Sequence, residues 1–170
     1  LPLTGVDGDT TLTIPADGST LEYNGVTTAL ANIESVVFTG HADLSDLIIN
    51  GLSDDFILKG NVLTVNGIGI TLSNVEKISV DNAAKFKIVL TDTQTFTTNN
   101  VAKTATCWGI TIDTTNIANL NVALDGEAND KILEIANDGS IATFGTVIVT
   151  LADVANLLYT NSPTLTVNGN

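Results

Sequence analysis

Short runs in which apolar and polar residues alternate recur along this chain, separated by Gly, Asn or Asp. They include LTI from Leu12, SVVF from Ser35, LII from Leu47, FILK from Phe56, VLTV from Val62, IGITL from Ile68, KISV from Lys77 and FKIVL from Phe86. The series continues through TFTT, ATCW, ITID, NLNVAL, KILEI, IATF, TVIVTL and NLLY to LTV from Leu165. Successive side chains of a strand point to opposite faces, so runs of this length and period predict short strands with one buried face. Helix is expected only as single turns near Thr28–Asn32 or Leu151–Asn156, where ALAN and LADVAN interrupt the alternation. The chain is therefore expected to be all-β.

The pattern itself repeats. DGSTLEYNGVTTALANIESVVFTG (Asp17–Gly40) aligns without a gap on KGNVLTVNGIGITLSNVEKISVDN (Lys59–Asn82). Two further copies are AKTATCWGITIDTTNIANLNVALD (Ala102–Asp125) and DGSIATFGTVIVTLADVANLLYTN (Asp138–Asn161). Gly25, Gly67, Gly109 and Gly145 set the register, as do Asn32, Asn74, Asn116 and Asp153. The expected organisation is an N-terminal strand segment (1–16), a repeat domain (17–162) with units near 17–58, 59–101, 102–137 and 138–162, and an edge segment (163–170). That last segment carries LTVNG, the same letters as Leu63–Gly67, and reads as the start of a fifth unit.

A period of about 40 residues predicts units that stack on one another. Two architectures fit. In a β-solenoid, the favoured one, the aligned Asn32, Asn74, Asn116 and Asp153 form one corner and bond the backbone of the next rung. In an antiparallel β-sandwich, Asn24-Gly25 and Asn66-Gly67 are two-residue hairpin turns.

Composition narrows the function classes. The 170 residues carry a net charge of -13 with six Lys and no Arg, which disfavours phosphate and nucleic-acid recognition. No apolar run is long enough to span a bilayer. Met is missing throughout, position 1 included, as removal of an export signal leaves a chain, so an extracellular or cell-surface location is expected. Cys107 is the single cysteine and reads as a small core residue.

Few residues can carry chemistry. His41 is the only histidine, and no nucleophile elbow accompanies it. Glu34 and Glu76 occupy the same place in two units and read as solvent-facing strand residues rather than a glycosidase pair. Calcium is the one cofactor with a case, because a hard cation takes six to eight oxygens. The candidate ligands are Asp7 and Asp9, Asp54 and Asp55, and Asp125, Glu127 and Asp130. At the turn position held by Asn24 and Asn66, the third and fourth units place Trp108 and Phe144. If exposed they form a patch suited to a sugar ring or a neighbouring subunit; if the turn is a bulge they are core.

DGEANDKIL (Asp125–Leu133) resembles a degenerate copy of the Gly-Gly-x-Gly-x-Asp-x-apolar-x repeat of RTX calcium-binding proteins, with Gly126, Asn129, Asp130 and Ile132 at matching places. LANIE (Leu30–Glu34) and LSNVE (Leu72–Glu76), each followed by alternating apolar residues, are similar to the repetitive body of secreted RTX-type adhesins and bacterial surface-layer proteins. The resemblance implies export, β-repeat architecture, calcium-aided assembly and no enzymatic centre. Together these readings predict a non-enzymatic extracellular protein that assembles with itself, as a surface-layer or filament subunit, by pairing the strand edges at Leu3–Ile14 and Pro163–Asn170. The alternative is a carbohydrate-binding adhesin module acting on a cell-surface glycan.

Overall fold

A computed structural model describes residues 1–5, 10–31, 33, 35–40, 46–51, 55–80, 83–161 and 163–169. Its strands follow the sequence pattern. The lead-in and first unit contribute β1 (Pro2–Thr4), β2 (Thr10–Ile14), β3 (Thr20–Tyr23), β4 (Val26–Ala29), β5 (Val36–Thr39) and β6 (Asp46–Gly51). Counted by meanders, each later unit begins one strand before its sequence counterpart, so the second contributes β7 (Asp55–Lys59), β8 (Val62–Val65), β9 (Ile68–Ser73), β10 (Lys77–Val80) and β11 (Ala83–Leu90). The third contributes β12 (Phe96–Asn99), β13 (Thr104–Cys107), β14 (Ile110–Asp113) and β15 (Ile117–Asp125). The fourth contributes β16 (Lys131–Ile135), β17 (Ile141–Phe144), β18 (Val147–Thr150) and β19 (Asn156–Thr160), with β20 (Leu165–Gly169) beyond it. A 3-10 turn spans Leu151–Asp153, inside one of the two expected places; Thr28 and Ala29, in the other, belong to β4.

The fold is a β-solenoid of about four turns. Its first sheet has the order β1-β5-β9-β8-β7-β11-β15-β19, and its second β12-β13-β14-β10-β6-β2-β3-β4. A third sheet, β18-β17-β16-β20, takes over from the second opposite the end of the first. Each unit makes a three-stranded antiparallel meander, then crosses to the other layer to continue a parallel stack. Both signals in the sequence are therefore realised, because the hairpins of the sandwich reading are built into the rungs of the solenoid.

Parallel stacking in register puts like residues in columns. Phe56, Phe86 and Leu120 are successive partners, as are Leu58, Ile88, Val122 and Leu157. The rings of Phe56 and Phe86 stack with centroids 5.8 Å apart and planes within 6°. Leu47, Ile78 and Ile112 form the matching column opposite. Each large side chain buried there contributes roughly 2 kcal/mol, and no rung can bury its face alone.

The hairpin turns show why the units differ. Asn24-Gly25, Asn66-Gly67 and Trp108-Gly109 have positive φ at both central residues (49 and 73, 52 and 82, 52 and 78°), as a type I′ turn requires. In the fourth hairpin only Gly145 (60°) is positive, the pattern of a type II′ turn with glycine first. Gly145 thus stands where Asn24, Asn66 and Trp108 stand, one residue away from the alignment with Gly25, Gly67 and Gly109. Phe144, which pairs with Val147, corresponds to Tyr23, Val65 and Cys107. A one-residue shift exchanges the two faces of a strand.

The expected single corner is not formed. Asn74 stands where the chain passes from first sheet to second, whereas Asn116 and Asp153 stand where it returns to the first sheet. Asn32 lies outside the described residues. Asn74 does bond a neighbouring rung, its Nδ2 donating to the Gly40 carbonyl at 3.1 Å. Asp153 instead accepts from the Thr98 hydroxyl at 2.7 Å.

Candidate functional site

Closed hydrogen-bonding makes a solenoid inert along its length and leaves its ends as the places where backbone groups can pair further. At one end stand β1 and β4, at the other β19 and β20. β1 is blunted. The Leu1 carbonyl and Gly5 amide face β5, so Pro2 and Thr4 face outward; Pro2 has no N–H, and the Thr4 carbonyl accepts the Tyr23 hydroxyl. β2 is enclosed between β6 and β3. The N-terminal edge expected at Leu3–Ile14 is therefore closed, by local chemistry at β1 and by pairing on both sides at β2.

β4 and β20 are different. Val26 and Thr28 pair with Tyr23 and Leu21 of β3, which leaves Thr27 and Ala29 facing away, without Pro or Lys. β20 pairs in parallel with β16 from Leu165↔Lys131 to Gly169↔Ile135, and its other edge is the last of that sheet. Each strand exposes a valine on the side that faces the core in its partner. Val26, opposite Tyr23, is 64% exposed; Val167, opposite buried Leu133, is 57% exposed. β4 runs parallel to β2, and β20 follows a first-sheet strand just as β2 does. Copies stacked in one orientation would thus set β4 on β20 in parallel, as β16 already sets on β20.

The acidic positions divide. Asp7, Asp9 and Asp54 lie outside the described residues, as does His41; Asp55 opens β7, and the placement of its side chain is not described. Asp125 is 6% exposed and its oxygens are occupied: it accepts the Glu127 amide, Asn161 Nδ2 and Lys59 Nζ, each at 3.0 Å. The Glu127 amide chiefly, with Asn161 and Lys59 after it, holds the Asp125 carboxyl below the ordinary carboxylate range against the opposing effect of burial. Gly126 and Ala128 donate their amides to the Thr160 and Asn161 carbonyls (2.9 and 2.7 Å), so this loop is stitched to the next crossing. Glu127 and Asp130 are exposed on it. Among the described residues no three His, Cys, Asp or Glu side chains converge as metal ligands.

The two aromatic candidates part company. Phe144 is buried and packs edge-on against Tyr159 at 5.8 Å, so of its two expected roles it has the core one and not the ligand-binding one, a consequence of the shifted register. Trp108 is half-buried at the first position of its turn, flanked by a groove of about 390 Å³ on one side and one of about 280 Å³ on the other. Cys107, next to it, faces the core, where burial pushes its thiol up to about 12.

What sequence reasoning missed is Asp92, which joins the third sheet to the rest. Its carbonyl accepts the Thr146 amide and hydroxyl (2.7 and 3.1 Å), and its carboxylate pairs with Lys131 Nζ at 2.5 Å. The Asp92 partner raises the Lys131 pKa. Nothing local distinguishes Asp92 from other turn acids.

Among the described residues no helix is long and apolar enough to cross a membrane. No family model, no curated protein and no solved structure matches this chain.

Proposed function

We propose that this chain is a non-enzymatic, extracellular structural module that stacks head to tail on copies of itself, β4 of one copy pairing with β20 of the next. The observation that carries this reading is the matched pair of open edges at opposite ends, each with an exposed inward-side valine. A heterologous contact of this kind does not close on itself and generates a filament. Burying both valines contributes a few kcal/mol per junction, about 1.5–3 for each fully buried side chain. Calcium enters as a counter-ion, because a charge of -13 per copy opposes close packing.

Val26→Asp and Val167→Asp test the pairing. Both side chains are exposed, so neither change removes core. The unmodified chain is expected to polymerise in analytical ultracentrifugation, and each variant alone to remain monomeric. An equimolar mixture should give one-to-one dimers and nothing larger, since only one good β4 and one good β20 are then free to meet. A monomeric unmodified chain refutes the proposal. Dimers formed by either variant alone refute the head-to-tail arrangement. Assembly that disappears on chelation assigns calcium its role, and assembly that persists removes it.

A further inference from the structure

We infer that Trp108 and the groove beside it form a binding site for a neutral glycan, independent of the stacking ends. The site begins with a conformational oddity. Trp108 has φ +52°, a left-handed position that Asn24 and Asn66 hold in the sister turns. Asn adopts it readily, because its short amide bonds locally; a bulky aromatic residue there costs on the order of 1–3 kcal/mol and persists only where the surroundings hold it. Trp108 is held partly by the core against which it packs, yet it keeps a surface open to two grooves.

The larger groove, about 390 Å³, lies between this turn and the loop from β11 to β12. Its walls are Thr93, Gln94, Thr95, Thr97 and Thr106, with Trp108 closing one side. Thr97 and Thr106 are cross-strand partners on the outer face of the second sheet, so their positions are fixed by the ladder. The loop is fixed as well: Gln94 Oε1 accepts the Thr91 amide at 2.9 Å, and the Gln94 carbonyl accepts the Thr146 hydroxyl at 3.0 Å. Among the described residues no charged side chain lines the groove.

An indole face bordered by hydroxyl and amide groups, without a charge, has the chemistry that recognises a sugar. The C–H face of a pyranose packs on the indole while its hydroxyls exchange hydrogen bonds with threonine and glutamine. The volume falls within the roughly 300–1,000 Å³ of small-ligand sites. Acidic sugars are disfavoured by the net charge of -13.

Because Trp108 is the only tryptophan, its emission reports the site directly. The full chain is titrated with cellohexaose, laminarihexaose, mannohexaose and maltohexaose to about 1 mM, with a hexamer of galacturonic acid as the acidic control. At least one neutral hexasaccharide should shift the emission saturably, and calorimetry should give the same affinity. Trp108→Asn installs the residue that the sister turns carry and should weaken binding by roughly tenfold or more while the fold is retained. Thr97→Val keeps the shape and the indole but removes a hydroxyl, and should weaken binding by a few-fold. If no neutral hexasaccharide shifts the emission, or Trp108→Asn binds as well as the parent chain, the site is refuted. Repeating the titration with Val167→Asp separates this result from the stacking proposal, since sugar binding should be unchanged there.

Discussion

Replacing Gly145 with Ala separates two effects that the hairpin glycines combine. At Gly67 a Cβ meets nothing within 4 Å, so Gly67→Ala carries only the cost of placing Ala at φ +82°, about 1–2 kcal/mol. At Gly145 the same change adds a collision: a Cβ there would lie 2.1 Å from the Asp92 carbonyl oxygen and 2.7 Å from its Cβ. Asp92 must retreat by more than an ångström's worth of contact, and the retreat breaks the bonds from the Thr146 amide (2.7 Å) and hydroxyl (3.1 Å) to that carbonyl. Two such bonds are worth about 1–3 kcal/mol together. Gly145→Ala should therefore cost about 3–4 kcal/mol, roughly 2 more than Gly67→Ala. Urea unfolding followed by circular dichroism gives the differences, and hydrogen exchange at Val147–Thr150 should quicken first, because the contact joins the third sheet to the second. Equal losses in Gly145→Ala and Gly67→Ala, within about 0.5 kcal/mol, refute both the contact and the register shift behind it.

Two further outcomes follow from the same geometry. Asp17, Asp113, Asp125 and Asp138 have folded-state pKa values below the unfolded value of 3.8, so the stability they contribute is present above about pH 4 and is lost as pH falls through their lowered values. Asp125→Asn should destabilise at neutral pH, and its difference from the parent chain should shrink as pH falls below about 4 in urea titrations; a pH-independent difference removes the charge from the account. Buried Cys107, its thiol pushed up to about 12, should resist a disulfide reagent at pH 8 until the chain unfolds, and immediate labelling of native protein contradicts its place in the core.

Much of the architecture is legible in the chain. Alternation names the strands because its cause is local: neighbours i and i+2 share a face in any strand. The Asn-Gly pairs name type I′ turns for an equally local reason, and the repeat implies stacking because one unit cannot bury its own face. The strand at Leu165 is read correctly on these grounds. The sites are less legible, since their partners lie far off. Nothing near Asp125 in the chain announces that Lys59, 66 residues earlier, lies on its carboxylate. Phe144 looks like a turn residue until pairing with Val147 turns it inward.

By itself, then, the sequence determines period, strand and turn, all consequences of steric preference and burial within one unit. Only the tertiary structure decides which layer each meander joins, and so places Asn74 on a different crossing from Asn116 and Asp153. It alone closes β1 with Pro2 and Tyr23 and moves the open N-terminal edge to β4. The physical reason is separation: a rung's neighbours are set by parallel pairings between residues some 30 to 40 positions apart, and no local preference encodes which face of which unit arrives there.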